Sequence, residues 1–157
     1  MTKPLVFITG ATGFIGSHTV RSTLESGYRV RLSIRRADQE SILRDRYIDY
    51  KDSLDFVILP DLSDPAFFKA ALQDVEYIFH LASPMPGRGV DIHHDYVNPA
   101  VDATLSVLRA AQSFSKIKKV IIMSSALALA PIDAVITKKL LIQGSYYCIA
   151  QDRCDIG

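Results

Sequence analysis

Three glycines spaced three apart, Gly10, Gly13 and Gly16 in the stretch GATGFIG, follow directly on the apolar run LVFIT. That spacing suits a loop that holds a pyrophosphate. Gly10 would permit a tight turn, Gly13 would let the backbone approach the anion closely, and Gly16 would let the next helix pack against a sheet. Thr12, Phe14 and Ile15 complete the loop, and the helix they open would present unpaired N–H groups to the ligand. The bland alternative is a glycine-rich turn with no ligand. A nucleoside-triphosphate loop is not indicated, because no Gly-Lys-Ser/Thr follows.

Arg35 lies 19 positions beyond Gly16, at the end of the next β-branched run. A dinucleotide fold places at this point the residue that inspects the adenosine ribose. An acid would accept hydrogen bonds from a free 2′-hydroxyl, whereas a guanidinium can pair with a 2′-phosphate through two parallel bonds. Arg35, with help from Arg36, therefore argues for NADP(H) over NAD(H). Two solvated charges at a strand end are the alternative. No His, Cys, Asp or Glu spacing points to a metal site. His80 reads as a packed strand residue, and His93 and His94 as exposed loop or helix-start residues.

These residues need a scaffold that brings distant loops to one edge. Short apolar runs at 5–9, 28–34, 55–59, 76–82 and 119–125 read as strands, with helices at 14–26, 38–49, 64–73 and about 93–115. Alternation of this kind predicts an α/β protein with a parallel sheet and helices on its faces. In the last helix Val97, Val101, Leu105 and Leu108 recur at spacings of three and four and predict the face turned to the sheet. Pro99 is expected to kink its first turns. From about residue 126 the alternation ends, with one possible short helix at 132–142 and no convincing strand.

Composition narrows the partners. The chain has 157 residues, 48% of them hydrophobic and 22% charged, with a net charge of +1. One globular domain with a small-molecule ligand fits these values; a nucleic-acid surface or a polybasic membrane anchor does not. The N-terminus has a positive charge and then an apolar run, as a signal peptide would, but the three glycines interrupt it. A bilayer span needs roughly 20 apolar residues. The segment 120–136 is broken by Ser124, Ser125, Pro131 and Asp133. Cys148 and Cys154 are too close together to staple the fold, so a reducing, cytoplasmic location is expected.

Five motifs in order resemble one family: ITGATGFIGSHTV at the start, LPDLSD at 59–64, HLASP at 80–84, VNPAVDATLSVLRAA at 97–111 and VIIMSSA at 120–126. Together they are similar to the extended short-chain dehydrogenase/reductase superfamily, in the branch of dihydroflavonol reductases, cinnamoyl-CoA reductases and fungal NADPH-dependent carbonyl reductases. The resemblance implies a Rossmann-type doubly wound sheet over residues 1–125, an NADP(H) cofactor and a small-molecule carbonyl substrate. Asp61 and Leu62 would lie against the adenine; Leu81, Ala82 and Ser83 would line the ribose and nicotinamide side. An N-cap role in the next helix is the competing reading for Asp61. Ser125 matches the family's catalytic serine, which hydrogen-bonds the carbonyl oxygen as charge builds on it.

The family's proton donor is a tyrosine with a lysine four residues later on the same helix face. The cation lowers a tyrosine pKa that is ordinarily about 10 and binds the nicotinamide ribose. Here Tyr146 is followed at that spacing by Ala150 and Tyr147 by Gln151, and both tyrosines lie closer to Ser125 than the family's does. Tyr47 and Lys51 have the right spacing but precede the third strand, far from the nicotinamide end. The expectation is a truncated reductase, with 126–157 an atypical tail and the C-terminal part of the family fold, including the substrate domain, missing. The fifth strand, left without the family's sixth, would expose an apolar edge prone to self-association.

Overall fold

The computed structural model describes residues 3–84 and 90–125. The chain divides into two compact units, Met1–Met123 and Ser124–Gly157. The first contains strands β1 (Leu5–Thr9), β2 (Arg29–Ile34), β3 (Leu54–Ile58), β4 (Val75–His80) and β5 (Lys119–Ile122). Its α-helices are α1 (Phe14–Glu25), α2 (Asp38–Arg46), α3 (Phe68–Ala71) and α4 (Asn98–Gln112). The strands form one sheet in the order β3-β2-β1-β4-β5, and every pair is parallel. This is the parallel sheet expected from the alternating pattern, in the doubly wound order that the resemblance implied.

β1 is central and all five of its residues are buried, as expected of a strand covered on both faces. Val6 and Ile8 face a core that contains Val20 and Leu24 of α1 and Leu43 of α2. Leu5 and Phe7 face the opposite core, with Phe68 of α3 and Val107 of α4. The register between β1 and β4 slips between Leu5 and Val6. Because of this irregularity Val75 packs in the second core while Tyr77, two residues on, packs against the first. A strict period of two would have put both on one face.

Arg31 ties the β2 side of the sheet to the end of α3. Its Nε donates to Asp55 Oδ2 of β3 at 2.6 Å, and one terminal nitrogen donates to the carbonyls of Ala71 and Gln73 at 2.9 and 2.8 Å. A guanidinium serves both a carboxylate and two backbone acceptors because its donors are fixed in a fork.

α4 corrects one expectation. The face turned to the sheet carries Ala103, Ser106, Val107 and Ala111. Val97, Val101 and Leu105 are instead 40%, 48% and 38% exposed. Small residues let the helix axis approach the sheet closely, so the face with the larger apolar residues turns outward. Pro99 sits in the first turn of α4, where a missing N–H is tolerated. Five residues in π-helical form, His93–Val97, lead into it.

Smaller differences occur at element ends. β4 stops at His80 and β5 at Ile122, before the Leu-Ala and Met-Ser-Ser stretches read as strand. The helix expected at 64–73 is a short turn at Pro65–Phe67 followed by α3. Its N-cap is Asp64, whose carboxylate accepts from the Ala66 N–H at 2.9 Å, so Asp61 is not the cap. The possible helix at 132–142 and the tyrosines at 146 and 147 lie outside the described residues.

Candidate functional site

Parallel register carries four loops to one edge of the sheet. Ile8 pairs with Leu32 and Thr9 with His80, so the segments after β1, β2 and β4 leave the sheet side by side. In open α/β sheets ligands bind outside the carboxyl ends of the strands, where the chain order reverses. The order β2-β1-β4 puts that reversal beside β1.

The glycine loop is shaped by close backbone contact. Gly10 has φ +75°, and a Cβ there would lie 2.8 Å from Ala82 N and 2.9 Å from Leu81 C. No side chain fits in that space. At Gly16 a Cβ would come within 2.0 Å of the Gly10 carbonyl oxygen, so α1 can start this close to β1 only with glycine there. Gly13 differs: its φ is −78° and a Cβ would have only the Gly10 oxygen nearby, at 3.4 Å.

α1 has no side-chain N-cap and no acidic residue in its first turn. The first bond of the helix runs from the Ser17 N–H to the Gly13 carbonyl at 2.9 Å. The N–H groups of Phe14, Ile15 and Gly16 precede it and point out of the helix end, where the aligned peptide dipoles favour an anion. The side chains of Phe14 and Ile15, 82% and 51% exposed, turn away into a separate apolar groove with Tyr77, Phe79 and Ile121.

A cavity of about 630 Å³ opens at the same edge, and Arg35, Asp61, Leu62, Ala82 and Ser83 all line it. Residues from the ends of β2, β3 and β4 are thus brought together. Leu81 is not in its wall; its side chain packs against the first core. Tyr96 of the π-helical segment and Pro99 and Ala103 of α4 also line the cavity, and sequence alone placed none of the three in the site.

Arg35 and Arg36 have different surroundings. Arg36 makes a two-pronged bond to Asp38, at 3.0 and 2.9 Å, which raises the arginine pKa and lowers that of the aspartate. The Arg35 guanidinium has no ion pair among the described residues, while its backbone N–H is anchored on the Gln39 side chain at 2.9 Å. Asp61 Oδ1 accepts from both the N–H and the hydroxyl of Ser63 at 2.8 Å. The backbone bond, followed by the hydroxyl bond, holds its carboxyl below the usual carboxylate range, so it faces the cavity as an anion.

Ser125 is exposed, in irregular chain beyond β5, and belongs to the second unit. Tyr47 buries its ring and donates its hydroxyl to the Ser17 carbonyl at 3.0 Å, a structural bond under α1. Among the described residues no group of three or more His, Cys, Asp or Glu could hold a metal ion. Nor is any described helix long and apolar enough to cross a membrane.

Comparison with known proteins agrees with this architecture. Ketoreductase sphI of Aspergillus fumigatus is 41% identical over 135 residues, which is 86% of this chain and 39% of that protein. The bifunctional dihydroflavonol 4-reductase/flavanone 4-reductase of Malus domestica is 32% identical, over 77% of this chain and 35% of the plant protein. Among solved structures, yeast methylglyoxal/isovaleraldehyde reductase Gre2 complexed with NADPH superposes with a TM-score of 0.76 at 26% identity. The match covers 82% of this chain and 39% of Gre2. Gre2 of Candida albicans in complex with NADPH gives 0.74 at 32% identity, covering 80% and 38%. The chain therefore spans about 39% of the length of such relatives. The model of the NAD dependent epimerase/dehydratase family matches residues 6–147, past the point where the quoted motifs end. With a parallel sheet of this order, the three-glycine loop and a family match over most of its length, the chain belongs to the NAD dependent epimerase/dehydratase family.

Proposed function

We propose that the chain binds NADP(H) at the carboxyl edge of its sheet, as the nucleotide-binding portion of an oxidoreductase that reduces aldehyde or ketone carbonyls. The observation that carries this reading is Arg35, which lines the cavity with no ion pair among the described residues while Arg36 is committed to Asp38. A 2′-phosphate would supply the missing anion through two parallel bonds. The pyrophosphate would rest on the N–H groups of Phe14, Ile15 and Gly16, with Thr12, Gly10 and Gly13 shaping the approach. Asp61 and Leu62 would flank the adenine, and Ala82 and Ser83 the path toward the nicotinamide, with Leu81 supporting them from the core. The cofactor, when bound, supplies the hydride.

Ser125 would hydrogen-bond the carbonyl oxygen as negative charge builds on it. Neither Tyr146 nor Tyr147 has a lysine four residues later, so this chain lacks the cation that would make a tyrosine an effective acid near neutral pH. Turnover by the chain alone is accordingly expected to be weak or absent. A second reading is a catalytically silent NADP(H)-binding sensor or interaction module; a fragment without function is the third. NADPH fluorescence titration with NADH as control, followed by a carbonyl-reduction assay, separates the three. Turnover supports the first, binding without turnover the second, and loss of both leaves the third.

Self-association through β5 belongs to the same proposal. Ile121 and Ile122 are 40% and 39% exposed on a strand that has β4 as its one neighbour among the described residues. Exposed apolar edges pair with other chains, and a lysine on such an edge blocks pairing. Light scattering on dilution should show a mean mass above one chain that falls to one chain in Ile121→Lys. A wild-type mass of one chain at every concentration would overturn it.

A further inference from the structure

A buried polar junction lies between the glycine turn and the end of β4, and nucleotide contact alone does not account for it. Thr9 ends β1, His80 ends β4, and the two are paired in register, 0% and 2% exposed. Thr9 Oγ1 lies 3.0 Å from His80 Nδ1. The same oxygen accepts from the backbone N–H groups of Leu81 at 3.1 Å and Ala82 at 3.2 Å.

A hydroxyl has one proton and two lone pairs. Both lone pairs of Thr9 are taken by the two amides, so its proton must point at Nδ1. Nδ1 is then the acceptor nitrogen, and His80 is the neutral tautomer with its proton on Nε2. The two amides held in this way belong to the residues on which Gly10 is seated, since a Cβ at Gly10 would meet Ala82 N and Leu81 C.

We propose that Thr9 and His80 are positioning residues of the nucleotide site: their hydrogen bond fixes Leu81 and Ala82 against the Gly10 turn only while His80 is neutral. The proposal rests on the NADP(H) reading above. A proton on Nδ1 would face the Thr9 proton, and Thr9 could turn its oxygen to the imidazolium only by releasing an amide. The backbone beside the cavity would lose one of its two tethers.

The described surroundings give His80 no help in carrying charge. β1 offers Thr9, β5 offers Ile122 at the paired position, and α4 turns Ala103 and Ser106 toward the sheet. Burial alone acts on the imidazole, pushing its pKa below the ordinary 6.5 with no carboxylate to oppose it. A depressed histidine pKa means the tethered state is fully favoured above about pH 6.5 and is lost as pH falls toward the lowered value.

The test is NADPH affinity by fluorescence titration from pH 8 to pH 5 in the wild type and in His80→Asn, each referred to its own value at pH 8. Asparagine Oδ1 can accept from Thr9 where Nδ1 does, and it does not titrate. A phosphate monoester titrates near pH 6 in both proteins, so that step cancels in the ratio of the two profiles. The wild type should lose about tenfold more affinity than His80→Asn across the range, roughly 1.4 kcal/mol. Thr9→Val should weaken binding at every pH, and Thr9→Ser should restore it. Superimposed profiles would overturn this inference alone, whereas no binding by the wild type at pH 8 would remove the nucleotide reading and this inference with it. Nitrogen NMR of wild-type His80 decides the matter independently of either variant. A proton on Nε2 at pH 8 is expected, and one on Nδ1 would refute the relay.

Discussion

Gly16→Ala is expected to destabilise the protein severely, while Gly13→Ala, three residues earlier, leaves the fold intact and weakens nucleotide binding. At Gly16 the added methyl would sit 2.0 Å from the Gly10 carbonyl oxygen, 2.8 Å from its carbon and 3.0 Å from Ala11 Cα. All three obstacles are backbone, so no side chain can rotate away. Either α1 moves off the sheet or the Gly10 turn opens, and the turn is itself seated against Leu81 and Ala82. Forcing a methyl into filled space costs about 1–3 kcal/mol and sometimes more. With backbone on every side, about 3 kcal/mol or more is expected, a large part of the roughly 5–15 kcal/mol that holds a domain together.

Gly13 has φ −78°, which alanine adopts without strain, and its nearest neighbour would be 3.4 Å away. Alanine at such a position restricts the unfolded chain and stabilises by about 0.4–1 kcal/mol. Its methyl would nevertheless stand where the proposed pyrophosphate approaches the backbone, and NADPH affinity should fall roughly 10- to 100-fold, as a loss of about 1.5–3 kcal/mol in charged hydrogen bonds implies. Urea denaturation and NADPH titration on both variants check the contrast. Equal destabilisation by the two substitutions would contradict the packing argument.

Arg35→Glu carries the second large effect. The backbone N–H of Arg35 is held by the Gln39 side chain, and the residue lines the cavity with no ion pair among the described residues. Each hydrogen bond to a charged group contributes about 1.5–3 kcal/mol. Losing a two-pronged contact and adding a negative charge should weaken NADPH binding at least roughly 100-fold, whereas NADH, with no 2′-phosphate, should change by less than about threefold on the same scale. Because Arg35 is exposed, the difference should be largest at low ionic strength and shrink in salt. Parallel titrations with the two nucleotides measure it, and equal losses would remove Arg35 as the selector of NADP(H).

Much of the fold was legible because its signals are local. Five β-branched runs separated by helical stretches fix a parallel sheet, and glycines at 10, 13 and 16 mark the strand-to-helix turn in which the structure places them. Periodicity failed on α4 for a definite reason. Val97, Val101, Leu105 and Leu108 form an apolar stripe as regular as the one that is buried, and only the closeness of helix and sheet selects Ala103, Ser106, Val107 and Ala111. Separation in the chain hid the rest. Tyr96 and Pro99 reach the Arg35 cavity across some sixty residues, and His80 meets Thr9 across 71, through sheet order that no single segment encodes. Arg36 was grouped with Arg35 because the two are adjacent, yet Asp38 occupies one and leaves the other to the cavity.

The most direct measurement is a crystal structure grown with excess NADPH. The account predicts the pyrophosphate against the N–H groups of Phe14, Ile15 and Gly16 and the 2′-phosphate on the Arg35 guanidinium. Nucleotide bound elsewhere, or a glycine loop folded shut across an empty cavity, would contradict it.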